Sequence, residues 1–168
     1  MFSKIIADFI RKMQYRRMTK NKASAGIYYN PKFGYLITSY AHDKDTGIRY
    51  AINPVIVVPV QDEIYLGDKV IEALNITKKA KLTKSKQRYN FWEITGAKTW
   101  WPAFSKKFRF IFIDEVGGRL EIVEHKRIRG GAYSGSEDDV IVFLELHATP
   151  EQMRDTIMQI LSRENAHT

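Results

Sequence analysis

The residues best spaced for chemistry in this chain are Asp114 and the run Glu124-His125-Lys126. An acidic residue on one strand and Glu-x-Lys on the next is the spacing of many metal-dependent nucleases. There the carboxylates hold Mg²⁺ and the lysine steadies a developing negative charge. Strand alternation places Leu120, Ile122, Glu124 and Lys126 on one face. Cross-strand ion pairing explains the same residues without chemistry, and nothing else in the sequence completes a metal site around Asp114. Glu124 and Lys126 are therefore expected not to be catalytic.

The other reactive residues assemble no better. His42, His125, His147 and His167 show no paired ligand spacing, so they read as surface or strand-end side chains rather than a metal site. Arg129–Gly135 is glycine-rich, but no helix follows to complete a phosphate cradle. The acids Glu137, Asp138 and Asp139 come next and repel phosphate, so Gly130–Asp139 reads as a mobile, acid-ended loop. No serine sits in a nucleophile-elbow pattern. The chain has no cysteine, which removes disulfides, thiolate nucleophiles and cysteine-rich zinc sites. No catalytic residue, metal or cofactor is expected, and no small-molecule substrate.

Charge gives a stronger signal. The net charge is +8, unevenly spread. Residues 1–33 and 76–109 are strongly basic, whereas 34–75 and 110–168 are net acidic. Such polarity steers oppositely charged partners. The densest basic run is Lys78, Lys79, Lys81, Lys84, Lys86 and Arg88, followed by an aromatic segment holding Trp92, Trp100 and Trp101. Phosphate contacts beside stacking rings would suit single-stranded nucleic acid. No nucleic-acid motif frames the cluster, so lysines solvating a loop and rings filling a core is the preferred reading.

The elements that must position these residues are legible from periodicity. With 168 residues and 44% hydrophobic content, the chain suits one domain with a sizeable core. No apolar run reaches the roughly 20 residues that cross a bilayer. Residues 2–18 read as an amphipathic helix, broken by Lys4, Asp8, Arg11 and Lys12. It lacks the unbroken apolar centre of a secretory peptide and is expected to remain on the mature protein. Ala25–Tyr29 suggests a short edge strand stopped by Asn30-Pro31. Gly34–Asn53 reads as a hairpin, Pro54 as a break, Val55–Val60 as a strand buried on both faces, and Leu66–Leu74 as a helix. The order recurs from Phe108: a hairpin turning at Val116-Gly117-Gly118, an apolar strand at Val140–Leu146, and a helix at Pro150–Leu161. Thr149, Pro150 and Gln152 form the start of that last helix. Val55–Val58 and Val140–Phe143 lie 85 residues apart, and Leu66–Leu74 and Met153–Leu161 lie 87 apart. The expected architecture is thus an α+β single domain over 1–168. Two related hairpin–strand–helix halves, 25–77 and 88–163, would build one antiparallel or mixed sheet with helices packed on it.

Several segments resemble the immunity proteins of contact-dependent growth inhibition systems. Leu66-Gly67-Asp68-Lys69-Val70-Ile71-Glu72-Ala73-Leu74 resembles the family's Leu-Gly-x-x-(apolar)-x-x-Ala-Leu helix. Thr95-Gly96-Ala97-Lys98-Thr99-Trp100 resembles its Gly-x-Lys-Ser/Thr-Trp segment, followed by Phe104 and the strand Phe108–Ile113. The order of these pieces matches over residues 30–161. The resemblance implies a cytoplasmic antidote that binds the C-terminal domain of its cognate toxin, often a nuclease, one to one and blocks it. In some members the toxin adds a β-hairpin to the antidote's sheet. This chain departs from the family in being basic where antidotes to basic nucleases are usually acidic. Its expected contact residues are accordingly of two kinds. Glu137, Asp138 and Asp139, with Tyr133, would meet a basic toxin. Lys78, Lys79, Lys81, Lys84, Lys86 and Arg88 would meet an acidic one. A nucleic-acid-binding module using 78–88 and the adjacent rings is the alternative.

Overall fold

The computed structural model describes residues 22–42, 49–80, 90–135 and 139–163. The expected N-terminal helix, the basic residues Lys81, Lys84, Lys86 and Arg88, and the acids Glu137 and Asp138 lie outside them. Seven strands form one open antiparallel sheet: β1 (Ser24–Asn30), β2 (Gly34–His42), β3 (Arg49–Val58), β4 (Arg109–Val116), β5 (Arg119–Arg127), β6 (Tyr133–Ser134) and β7 (Ile141–Glu145). Their spatial order is β3-β2-β1-β4-β5, with β6 and β7 pairing different stretches of the outer side of β5. Helices α1 (Leu66–Lys79) and α2 (Pro150–Ser162) pack side by side on one face. The α+β single-domain architecture is as expected.

Alternation along the strands sorts the side chains into two layers. Ala25 and Ile27 of β1, Tyr35 and Ile37 of β2, Ile111 and Ile113 of β4, and Leu120 and Ile122 of β5 face the helices. They meet Leu66, Val70, Ala73 and Leu74 of α1 and Met153, Ile157 and Ile160 of α2. Thr77 locks the last turn of α1 to the sheet, donating to the Ser24 carbonyl at 2.7 Å and accepting from the Tyr40 amide at 3.2 Å. The opposite face carries Tyr28, Leu36 and Phe110, covered by Phe91, Phe104 and Phe108 from the irregular segment between α1 and β4.

Three strand expectations need correction. The segment around Ala25–Tyr29 is a central strand, not an edge: Ile27 pairs with Ile37 of β2 on one side and Ile111 of β4 on the other. Asn30-Pro31 marks its end and says nothing of its neighbours. Pro54 does not break the chain into two strands, because β3 runs through it from Arg49 to Val58. A residue without an N–H is tolerated on a free edge, and the β2–β3 register shifts between Ile37 and Ser39 beside it. Val55–Val58 therefore belongs to the outer strand of a hairpin, not a strand buried on both faces: Val57 is 38% exposed, while Val58 is buried. β7 lies at the opposite edge of the same sheet as a third strand beside its hairpin. The two apolar runs thus hold different places, although each leads to a helix.

The second hairpin turns at Gly117-Gly118, both at positive φ (59° and 81°), which a two-residue hairpin loop of this hand requires. Helix α2 begins as expected: Thr149 accepts from the Gln152 amide at 3.2 Å and the Gln152 side chain accepts from the Thr149 amide at 2.8 Å.

Candidate functional site

The nuclease-like constellation is taken apart by the strand pleat. Asp114 pairs across the β4–β5 ladder with Glu121, whereas Glu124 pairs with Ile111. Ile111 faces the helices, so Glu124 does too, while Asp114 shares the opposite face with Phe110 and Phe112. Each carboxylate has a structural partner. Arg109 holds Glu124 with two bonds, Nε to Oε1 at 2.6 Å and Nη2 to Oε2 at 2.7 Å, and its Nη1 donates to the Leu161 carbonyl at 2.7 Å. Arg109 therefore ties β4, β5 and the C-terminal end of α2 together. Arg49 reaches across the sheet to Asp114, Nη2 to Oδ2 at 2.5 Å. Among the described residues no group of three or more acidic or histidine side chains could hold a metal ion.

The aromatic segment after the basic run is used as structure. Phe91 and Phe104 are buried, and Trp92 and Trp100 pack against them. The Trp100 indole donates to the Gly131 carbonyl at 3.0 Å. Trp101 is the exposed tryptophan, at 43%, and Arg127 lies 5.9 Å above its ring. The Gly130-Gly131 stretch is likewise docked rather than mobile: Gly131 is buried and its carbonyl accepts from both Trp100 and Ser105. Of the expected basic contacts, Lys78 and Lys79 close the last turn of α1, where cations suit the helix dipole.

A different site emerges on the face away from the helices. Tyr28, Tyr40, Phe110, Phe112, His125 and Tyr133 line a cleft of ≈ 390 Å³. Gly26 sits beneath it, and a Cβ there would come within 2.8 Å of the Phe110 and Tyr40 rings. The hydroxyls of Tyr28 and Tyr40 bond each other at 2.9 Å, and burial pushes the pKa of both up. Tyr133, an expected contact residue, forms a wall: its ring lies 5.0 Å from that of Phe110, and its hydroxyl donates to the Phe108 carbonyl at 2.7 Å. His125 packs 5.6 Å from Phe112; burial pushes its pKa below the usual imidazole value, against the nearby carboxylates of Asp139 and Glu121. Asp139, the described member of the expected acidic trio, is therefore placed near His125. Oδ2 of Asp139 and Nε2 of His125 lie 3.7 and 3.6 Å from the point where a Cβ on Gly135 would stand.

An apolar edge lies on the same face of the sheet as the cleft. Phe143 pairs with Glu121 and Ile141 with Val123, so both point to the cleft side of the sheet. Val140, Ile141 and Phe143 are 55%, 47% and 51% exposed. The apolar run was legible in the sequence, but its exposure was not, because burial depends on which strand is outermost. On the opposite end of the same face, Lys32, Lys98 and Lys107 line a groove of ≈ 790 Å³ with Phe33 and Thr95. Sequence spacing gave no hint of that grouping.

No helix among the described residues is long and apolar enough to cross a membrane. No family model matches the sequence, and no curated relative does. Solved structures do. The fold is similar to that of a protein of unknown function from Neisseria meningitidis, with TM-score 0.61 and 21% identity over 86% of this chain and 96% of that one. It is also similar to a chain of the CdiA-CT/CdiI toxin and immunity complex from Yersinia pseudotuberculosis, with TM-score 0.51 and 16% identity over 84% of this chain and 97% of that one. At these identities the likeness is one of fold.

Proposed function

We propose that this chain is an immunity protein: it binds the C-terminal domain of a cognate contact-dependent growth inhibition toxin one to one and blocks it, without catalysis. The observation that carries the reading is the apolar outer edge of the sheet, Val140, Ile141 and Phe143 on and beside β7, in a fold similar to a chain of a toxin–immunity complex. Exposed apolar side chains gathered on one strand mark interaction surfaces more than solvated ones. A toxin of the nuclease class fits the family resemblance, and the cytoplasm is where such an antidote works.

The two edges of the sheet differ in what they offer a partner strand. Pro54 interrupts the donors of β3, and proline on an edge discourages pairing. β7 contains no proline and has no second partner strand among the described residues. Strand addition would therefore take place on β7, with main-chain bonds supplying affinity and Ile141 and Phe143 supplying apolar contact. Asp139, two residues before β7, and its neighbours Glu137 and Asp138 place acidic residues next to that edge in the chain. They favour a basic toxin. Lys78, Lys79, Lys81, Lys84, Lys86 and Arg88 are the alternative for an acidic one. Protection tests the reading. Cells arrested by the toxin domain encoded immediately upstream should resume growth when this chain is co-expressed. Continued arrest at matched expression levels would reject it.

A further inference from the structure

Three lysines from separate segments line one groove, and among the described residues no acid lines it with them. The groove, ≈ 790 Å³, lies on the sheet face away from the helices, at the end marked by Asn30 and Lys107. Asn30 fixes two of the three. Its Oδ1 accepts from the Lys32 and Phe33 amides at 2.9 and 3.1 Å, which shapes the β1–β2 turn, and its Nδ2 donates to the Lys107 carbonyl at 2.7 Å. Lys98 comes from the segment after the short 3-10 helix Phe91–Thr95, where Gly96 turns the chain at positive φ (79°). All three lysines are exposed and form no ion pair among the described residues. Like charges over a concave, low-dielectric wall reinforce one another's field. The wall here is apolar, built of Phe33, Ala97, Ala103 and Phe108.

We propose that this groove receives an extended acidic segment of a protein partner, its carboxylates meeting Lys32, Lys98 and Lys107 and its side-chain stems lying along the apolar wall. Charge complementarity selects an anion, and the rings select between anions. Single-stranded nucleic acid needs free ring faces on which bases stack. Phe108 is buried and stacked 4.3 Å from Phe104, and Phe33 packs edge-to-face against Phe108 at 5.8 Å. The exposed Trp101 lies over Gly131 and does not line the groove. A glutamate needs no stacking platform, only an ammonium for its carboxylate. The groove shares no residue with β7, so the proposal does not rest on the toxin-binding reading.

The test uses the full chain and a fluorescent peptide of about six glutamates, roughly 20 Å when extended, with the glutamine peptide of equal length as its uncharged isostere. The expected result is a saturable rise in anisotropy with the glutamate peptide, weakened by added salt, and none with the glutamine peptide. Lys32→Gln with Lys98→Gln, both at exposed positions, is expected to weaken binding roughly five- to tenfold, the combined factor of two partly solvated ion pairs. Lys69→Gln with Arg119→Gln removes the same charge from α1 and from the far hairpin, and is expected to weaken it less than about twofold. Equal response to the two peptides, or equal weakening by the two double variants, overturns the proposal. So does tighter binding of an oligothymidylate of the same length through Lys32 and Lys98, which would assign the groove to nucleic acid. Those failures leave the toxin-binding reading to its own growth test, and continued arrest in that test leaves this site standing.

Discussion

Gly67 of α1 lies against the backbone of Pro150 at the start of α2, so closely that a Cβ on Gly67 would fall 1.8 Å from the Pro150 carbonyl oxygen. Backbone cannot step aside as a side-chain tip can. The glycine in Leu66-Gly67 is therefore a packing requirement of the helix pair. Gly67→Ala should destabilise the fold by about 1–3 kcal/mol, the usual range for overpacking. Urea unfolding followed by far-ultraviolet circular dichroism measures it; an unchanged midpoint would mean the helices can part without cost.

Glu124 should behave as a structural residue. Its carboxylate accepts two bonds from Arg109, which also caps the end of α2. Glu124→Gln keeps the shape but removes the charge that holds a partly buried guanidinium, a change expected to cost about 1–3 kcal/mol. Thermal unfolding should register that loss. The parent protein should leave DNA and RNA intact in Mg²⁺ or Mn²⁺; cleavage that disappears in Glu124→Gln would restore the enzymatic reading.

His125 should make stability depend on pH. Burial lowers its pKa in the folded state, while the unfolded chain has the ordinary value near 6.5. Below that value the unfolded state binds the proton more readily. The contribution of His125 is thus complete above about pH 6.5 and is lost as pH falls toward the folded pKa. Urea midpoints should drop between about pH 7 and pH 5, and His125→Phe should flatten that part of the profile. An identical slope in the variant would assign it to other groups.

How far the sequence reached can be seen in particular residues. The capped start of α2, the glycine turn of the second hairpin and the helix from Leu66 were legible because their signals are local. The outer placement of Val55–Val58 and Ile141–Phe143 was not. An apolar run reads alike in the middle of a sheet and at its edge, and only the strand order distinguishes them. Asp114 and Glu124 looked like partners because each strand was read alone, whereas the β4–β5 register sets them on opposite faces. The cleft itself joins residues from Tyr28 to Tyr133, a union that only the sheet topology makes.

The central claim is that the β7 side of the sheet binds a toxin domain tightly enough to leave almost none free in a growing cell. Titration calorimetry of this chain against the toxin domain encoded immediately upstream tests it most directly. The expected outcome is one-to-one binding with a dissociation constant on the order of nanomolar, about −12 kcal/mol. Phe143→Glu, a substitution at a half-exposed edge position, should keep the fold and weaken that binding at least roughly tenfold, or about 1.4 kcal/mol. No detectable binding by the parent chain, or full affinity in Phe143→Glu, would contradict the account.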